Sequence, residues 1–183
     1  MDTIVRHTIA VLVANETGVL SQVSRLFSRR GYNIESLAVG TTDSAHISRI
    51  TIEVLATHQS AELICNQLRK LLPVHSVKLL EPSQSIRREL VLIKVRAATH
   101  EVRNEVVQVV SIFRGSVIDV CPETLTVSLI GAAEKTEAVE TLLGEFGIVE
   151  LVRTGMIALE RGRYAIDENT KEKGEFNHGK HVL

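Results

Sequence analysis

Two spacings of apolar residues take turns along the chain. Ile4–Val13 is rich in β-branched residues and free of Gly and Pro, which predicts a strand. Val19, Leu20, Val23, Leu26 and Phe27 then fall at i, i+1, i+4, i+7 and i+8, one face of a helix running to Arg30. Gly31 stands behind Arg29 and Arg30, where a left-handed terminal residue and positive charge suit a helix end. Asn33–Val39 predicts a second strand, and the turn-rich Gly40–Ala45 a loop. In Ile47–Leu55, Ile50, Ile52 and Val54 alternate with Arg49, Thr51 and Glu53, the pattern of a half-buried strand. Ser60 is positioned to cap a second helix that reaches Leu72 and stops at Pro73. Val74–Leu80 is a fourth strand. The order is βαββαβ, the split-βαβ or ferredoxin-like arrangement.

After the polar break at Glu81-Pro82-Ser83-Gln84-Ser85 the order starts again. Strands are predicted at Leu90–Ala97, Ser116–Cys121, Leu125–Leu129 and Ile148–Val152, the last resuming at Met156–Leu159. Helices are predicted at Glu101–Phe113 and Glu134–Phe146, the second closed by Gly147. The halves share local text: Arg30-Gly31-x-x-Ile34-Glu35 and Arg114-Gly115-x-x-Ile118-Asp119 each follow a Phe at a helix end. The expected class is therefore α+β, two consecutive ferredoxin-like βαββαβ domains. They divide as 1–80, a linker at 81–88, 89–160, and a charged flexible tail at 161–183.

The chemistry concentrates at one turn. Asn15, Glu16 and Thr17 are able to cap the helix that follows, and Gly18 lets a ligand approach the backbone. Free N–H groups at a helix start attract an anion such as a carboxylate. The alternative, a capped turn with a spacing glycine, stays open on this turn alone. The repeat bears on the choice. The matching turn of the second half is Ala98-Thr99-His100-Glu101, and Val117 matches Asn33. A set present in one copy and absent from its twin is not required by the fold.

Composition narrows the remaining classes. The net charge of −1 over 183 residues gives no general attraction to nucleic acid or anionic lipid. Aromatics are 3% with no Trp, too few for base-stacking platforms. The start of the chain lacks a basic segment followed by an apolar core, and no apolar run approaches the ~20 residues that span a bilayer. A cytoplasmic protein is expected. Cys65 and Cys121 form no CxxC and are expected to be buried free thiols. The seven histidines are scattered without metal-ligand spacing, and GxSxG, P-loop and GxGxxG patterns are absent. Independent catalysis and a bound metal are not expected.

The run Asn15-Glu16-Thr17-Gly18-Val19-Leu20, continued by Arg30-Gly31-Tyr32-Asn33-Ile34-Glu35-Ser36-Leu37, resembles the small, regulatory subunit of acetolactate synthase. The resemblance extends through Ser48-Arg49-x-Thr51-Ile52, Arg88-Glu89-Leu90 to Lys94, the Arg114-Gly115 repeat text, and Thr154-Gly155-x-x-Ala158 to Gly162. It implies an N-terminal ACT domain that pairs with its copy in a homodimer. It implies a small-molecule effector at the shared interface, a branched-chain amino acid and most often valine. Asn15 and Gly18 would come from one subunit, and Asn33 with Ile34 from the other; Val19 and Leu20 complete the implied site with backbone N–H groups and apolar surface. The resemblance also implies a separate catalytic subunit, holding thiamine diphosphate, Mg²⁺ and FAD, which this chain activates and makes sensitive to feedback inhibition. A stand-alone tandem ACT amino-acid-sensing regulator is the alternative that length and architecture also suit.

Overall fold

The computed structural model describes residues 3–166. The first half is β1 (Val5–Ala14), α1 (Val19–Arg30), β2 (Ser36–Thr41), β3 (Ile47–Ala56), α2 (His58–Leu68) and β4 (Val74–Leu80). A short 3-10 turn at Pro82–Gln84 leads to β5 (Ser85–Arg96), α3 (His100–Ile112), β6 (Ser116–Val120), β7 (Thr124–Gly131), α4 (Ala133–Gly144), β8 (Ile148–Arg153) and β9 (Ile157–Glu160). Each half is an antiparallel sheet backed by two helices. The strand orders are β2-β3-β1-β4 and β6-β7-β5-β8. Both place the first and third strands of the unit at the centre, as the βαββαβ order predicts.

In the first half Ile9, Val11 and Val13 of β1 pack with Ile50, Ile52 and Val54 of β3 under α1 and α2. Val23 and Phe27 of α1 and Ile64 and Leu68 of α2 complete this core. A fully buried Phe or Leu contributes about 1.5–3 kcal/mol. The second half repeats the layer with Val91, Ile93 and Val95 of β5 and Leu125, Val127 and Leu129 of β7, under Val106, Val110, Val139 and Leu143.

Several boundaries move from the sequence expectation. The second helix ends at Leu68 and leaves Leu72 exposed, because the chain already turns through Leu71 and Val74. Its cap is Thr57, whose hydroxyl accepts the Ser60 N–H. Strand β5 begins at Ser85, ahead of the expected Leu90, because Ser85–Arg88 pairs with β9. Cys65 is buried, and burial pushes its thiol up to about 12, but Cys121 is exposed just after β6.

The two helix-end glycines of the repeat do different work. Gly31 takes the left-handed conformation, at φ 69°. In the second half Arg114 takes it, at φ 55°. Gly115 is needed for space: a Cβ there would stand 2.9 Å from the Ser128 carbonyl oxygen.

Strand β3 is the larger departure. Thr51 and Glu53, expected on a solvent face, are buried along with Thr8 and Ala10 of β1. The ribbon of β5 and β9 lies across this second face, where Ala158 packs with Ala10, Leu80 and Ile166. Arg49 Nη2 donates to the Ala158 carbonyl at 2.7 Å, and Lys78 pairs with Glu160 at 2.6 Å. Of the expected tail, the Arg161 N–H donates to the Gln84 carbonyl at 2.8 Å; 167–183 lie outside the described residues.

Glu53 accepts from Thr8 Oγ1 at 3.2 Å and lies 3.6 Å from Arg6. Burial nevertheless holds its carboxyl above the usual carboxylate range, against the opposing pull of Arg6 and Thr8. A group raised in the folded state favours folding below its unfolded pKa, and that contribution is lost as pH rises through the folded value. Glu53→Gln keeps the shape without the charge. In urea unfolding at fixed protein concentration, the stability of this variant relative to the parent should rise as pH rises from about 4.5 and then level off. A relative stability that falls over that range would mean that Arg6 outweighs burial.

Candidate functional site

The turn from β1 into α1 is built by Asn15. Its backbone N–H donates to the His46 carbonyl at 2.8 Å. Its Nδ2 donates to the Ala45 carbonyl at 2.9 Å, and its Oδ1 accepts from Ser48 Oγ at 3.0 Å. The side chain thus ties the turn to the β2–β3 loop and does not cap the helix. Neither do Glu16 or Thr17: the cap residue of α1 is Gly18, left-handed at φ 86°, with no side-chain hydrogen bond. The Val19 N–H reaches only the Glu16 carbonyl, at 3.4 Å. By contrast Thr57 caps α2 and Thr99 caps α3 through their hydroxyls. Helix α4 also lacks a side-chain cap but carries Glu134 in its first turn, where α1 has no acidic residue. The start of α1 therefore presents backbone N–H groups without a side-chain acceptor, behind a glycine with open space around it.

The apolar members divide. Val19 is in the core, so it offers the site its backbone. Leu20 is 41% exposed beside the turn. Ile34 is partly buried and packs on the core edge. Asn33 is exposed and precedes β2; its Nδ2 donates to Glu35 Oε1 at 2.5 Å.

The structure gathers these residues into two groups, not one. Asn15, Gly18, Val19 and Leu20 stand at the start of α1, and Asn33 with Ile34 follow its end. A helix of 12 residues separates them, about 18 Å at 1.5 Å per residue. No single amino acid spans that distance. The strand between the groups in space is β2, which is an edge of its sheet. Its Thr41 end pairs with Ser48, the partner of Asn15, and its Ser36 end lies three residues from Asn33.

Two partners escaped the sequence reasoning. Glu35 was recognisable in principle, since positions two apart in an extended segment share a side. Ser48 was not, because its place beside Asn15 depends on the β1–β3 register. Among the described residues no group of three or more His, Cys, Asp or Glu side chains is placed to hold a metal, and no helix is long and apolar enough to cross a membrane.

Comparison with known proteins gives concordant matches. Residues 9–76 match the model of the AHAS small subunit-like ACT domain, and residues 88–162 that of the small subunit of acetolactate synthase. The chain is 44% identical over 156 residues to the probable acetolactate synthase small subunit of Methanothermobacter thermautotrophicus, covering 85% of this chain and 93% of that protein. It is 47% identical over 156 residues to the acetolactate synthase small subunit of Mycobacterium bovis, covering 85% and 92%. The crystal structure of the acetolactate synthase small subunit from Thermotoga maritima superposes with a TM-score of 0.80 at 38% identity, covering 88% of this chain and all of that one.

The conformation of Gly18 yields a stability test. A Cβ there meets nothing within 4 Å, so Gly18→Ala should cost only the left-handed strain, about 1–2 kcal/mol. Urea unfolding measures it. A loss well beyond that range would mean that the turn is packed, not open.

Proposed function

The chain belongs to the acetolactate synthase small-subunit family, and on that premise we propose that it activates a separate catalytic subunit and confers feedback inhibition by a branched-chain amino acid, valine first. The catalytic chain, in this reading, carries the thiamine diphosphate, Mg²⁺ and FAD and performs the condensation in the cytoplasm. This chain supplies no cofactor and takes neither nucleic acid nor membrane as partner.

The observation that carries the proposal is the division of the site between the two ends of α1. A homodimer resolves it. Edge strands favour pairing with a further strand. Two β2 strands related by a two-fold axis perpendicular to them run antiparallel, so the Thr41 end of one lies beside the Ser36 end of the other. That brings the Asn15–Gly18 turn of one subunit to the Asn33–Ile34 corner of its partner, in two equivalent sites. Apolar surface continues from this edge: Val39, Ile157 and Leu159 are each about half exposed around a cavity of about 450 Å³. The sheet edge and the β5–β9 ribbon together offer a self-complementary patch of the kind a two-fold dimer needs.

In the joined site the amino-acid carboxylate meets the N–H groups at the start of α1. Asn33 uses its amide N–H on Glu35, so its oxygen is the group that accepts from the ammonium. Leu20 and Ile34 flank the side chain. Asn15 acts by holding the turn against Ser48. Valine and isoleucine differ here by one methylene, worth about 1–3 kcal/mol in an apolar pocket.

Sedimentation of the isolated chain at micromolar concentration should show a dimer. Monomer alone, with valine present, would defeat the two-ended site. The second test uses variants in the complex reconstituted with the catalytic subunit. Gly18→Asp sets a carboxylate against that of the effector and should abolish valine inhibition. Asn33→Ala removes one hydrogen bond to a charged group, about 1.5–3 kcal/mol, and should weaken inhibition roughly 10- to 100-fold. Val117→Ala, at the matching position of the second half, should change nothing. Activation should persist in all three, and this chain alone should form no acetolactate. Parental valine inhibition in Gly18→Asp would remove the effector from this turn.

A further inference from the structure

Both halves of the divided site are joined to one short segment of the C-terminal half. Ser36 follows Asn33 by three residues, and its Oγ accepts the Met156 N–H at 2.7 Å. No Gly or Pro interrupts the chain between them. The stretch is fixed on one side by the Asn33–Glu35 hydrogen bond and on the other by the Glu35 N–H on the Glu53 carbonyl at 2.9 Å. At the other end of the sheet edge, Ser48 bonds Asn15, and the next residue, Arg49, donates to the Ala158 carbonyl at 2.7 Å. The two receiving groups, Met156 and Ala158, are two residues apart.

The receiving segment has little slack. Gly155 is left-handed at φ 81°, and a Cβ there would stand 2.9 Å from the Leu37 carbonyl oxygen. Backbone contact is that close on the same segment that carries Asn33. On its far side the turn is held to β5. The Leu90 N–H donates to Thr154 Oγ1 at 3.1 Å, and the Thr154 N–H donates to the Leu90 carbonyl at 3.1 Å. Met156 is buried. A displacement of Ser36 or Arg49 by about an ångström away from its 2.7 Å partner would carry the pair beyond hydrogen-bond reach. The segment must follow, or its contacts are lost.

We infer that the Gly155–Ala158 segment is the receiver that carries effector occupancy into the C-terminal half, with Ser36 and Arg49 as the positioning residues that couple it to the two ends of the site. The inference rests on the effector site proposed above. Each subunit contributes opposite ends to the two sites of the dimer, so each receiver senses both. Coupling of this kind is separable from affinity, because a ligand shifts the state of a distant element only through contacts that differ between its states.

The test separates binding from transmission in the full-length chain and the reconstituted complex. Ser36→Ala and Arg49→Met keep bulk and remove the hydrogen bonds. Valine titration by calorimetry should give a Kd within about threefold of the parent, and activation without valine should be retained. Residual activity at saturating valine should rise at least threefold in each variant, and Ser36→Thr, which restores a hydroxyl, should return it toward the parent. Inhibition of parental depth in both variants would overturn the inference. So would a Kd weakened more than tenfold with full inhibition at saturation, since the two residues would then serve binding alone. Hydrogen exchange of the parent needs no variant: valine should change protection of the 154–160 amides more than twofold, and unchanged exchange there would also overturn it. Gly18→Asp is titrated alongside. Parental valine affinity in that variant would remove the site itself, an outcome read independently of Ser36 and Arg49.

Discussion

A small antiparallel sheet has two faces, and two helices cover only one of them. The first sheet places Thr8, Ala10, Thr51 and Glu53 on the second face, all buried. The other constraints follow from the need to cover that face. The β5–β9 ribbon reaches back from the second half to do so, and with it comes the Gly155–Ala158 segment. The hydrophobic gain is small, because the covering contact is led by Ala10, Leu80 and Ala158. Directed polar contacts set the geometry instead: Arg49 on Ala158, Lys78 on Glu160, and Ser36 on Met156. Such bonds add modestly to stability, about 0.5–1.5 kcal/mol each, but a misdocked ribbon would leave buried groups without partners.

The charged groups between the halves serve the same end. Glu89 is buried, and its Oε1 accepts from Thr136 Oγ1 at 2.5 Å and from Arg153 Nη1 at 2.6 Å; Arg153 also pairs with Glu140. Glu53 and Arg6 lie nearby around a polar cavity. Buried ion pairs are weak sources of stability, because desolvation offsets most of the attraction. Their penalty for misplacement is large, which here favours one placement of α4 and β8 on β5, while Arg6 of the first sheet reaches Glu137 of α4 at 3.8 Å.

One supersecondary unit is used twice, with different helix starts. In the second copy Thr99 caps α3 and nothing in the turn invites a ligand. In the first copy the left-handed Gly18 starts α1 without a side-chain acceptor, and Asn15 is turned aside to hold Ser48. The fold tolerates either start. The uncapped one leaves the positive end of the helix dipole without a side-chain acceptor.

The sequence by itself determined the elements, their order and the internal repeat. Periods of 2 and 3.6 are local properties, and Ile50-x-Ile52-x-Val54 or Val19 to Phe27 carries them without reference to the rest of the chain. Asn15, Gly18 and Asn33 stood out as candidates too, because the repeat exposes what one copy has and the other lacks. Their roles were not. The sequence places Asn15 where a cap belongs, but its partners Ala45 and Ser48 arrive only through the pairing of β1 with β3. It makes Glu53 a solvent-facing residue, since alternation marks which side chains share a face and not what covers that face. The burial of Glu53, the separation of Asn15 and Gly18 from Asn33 by the length of α1, and the meeting of Ser36 with Met156 across 120 positions are long-range facts. Tertiary structure decided them, because contacts between distant segments depend on register and docking, which no local spacing encodes.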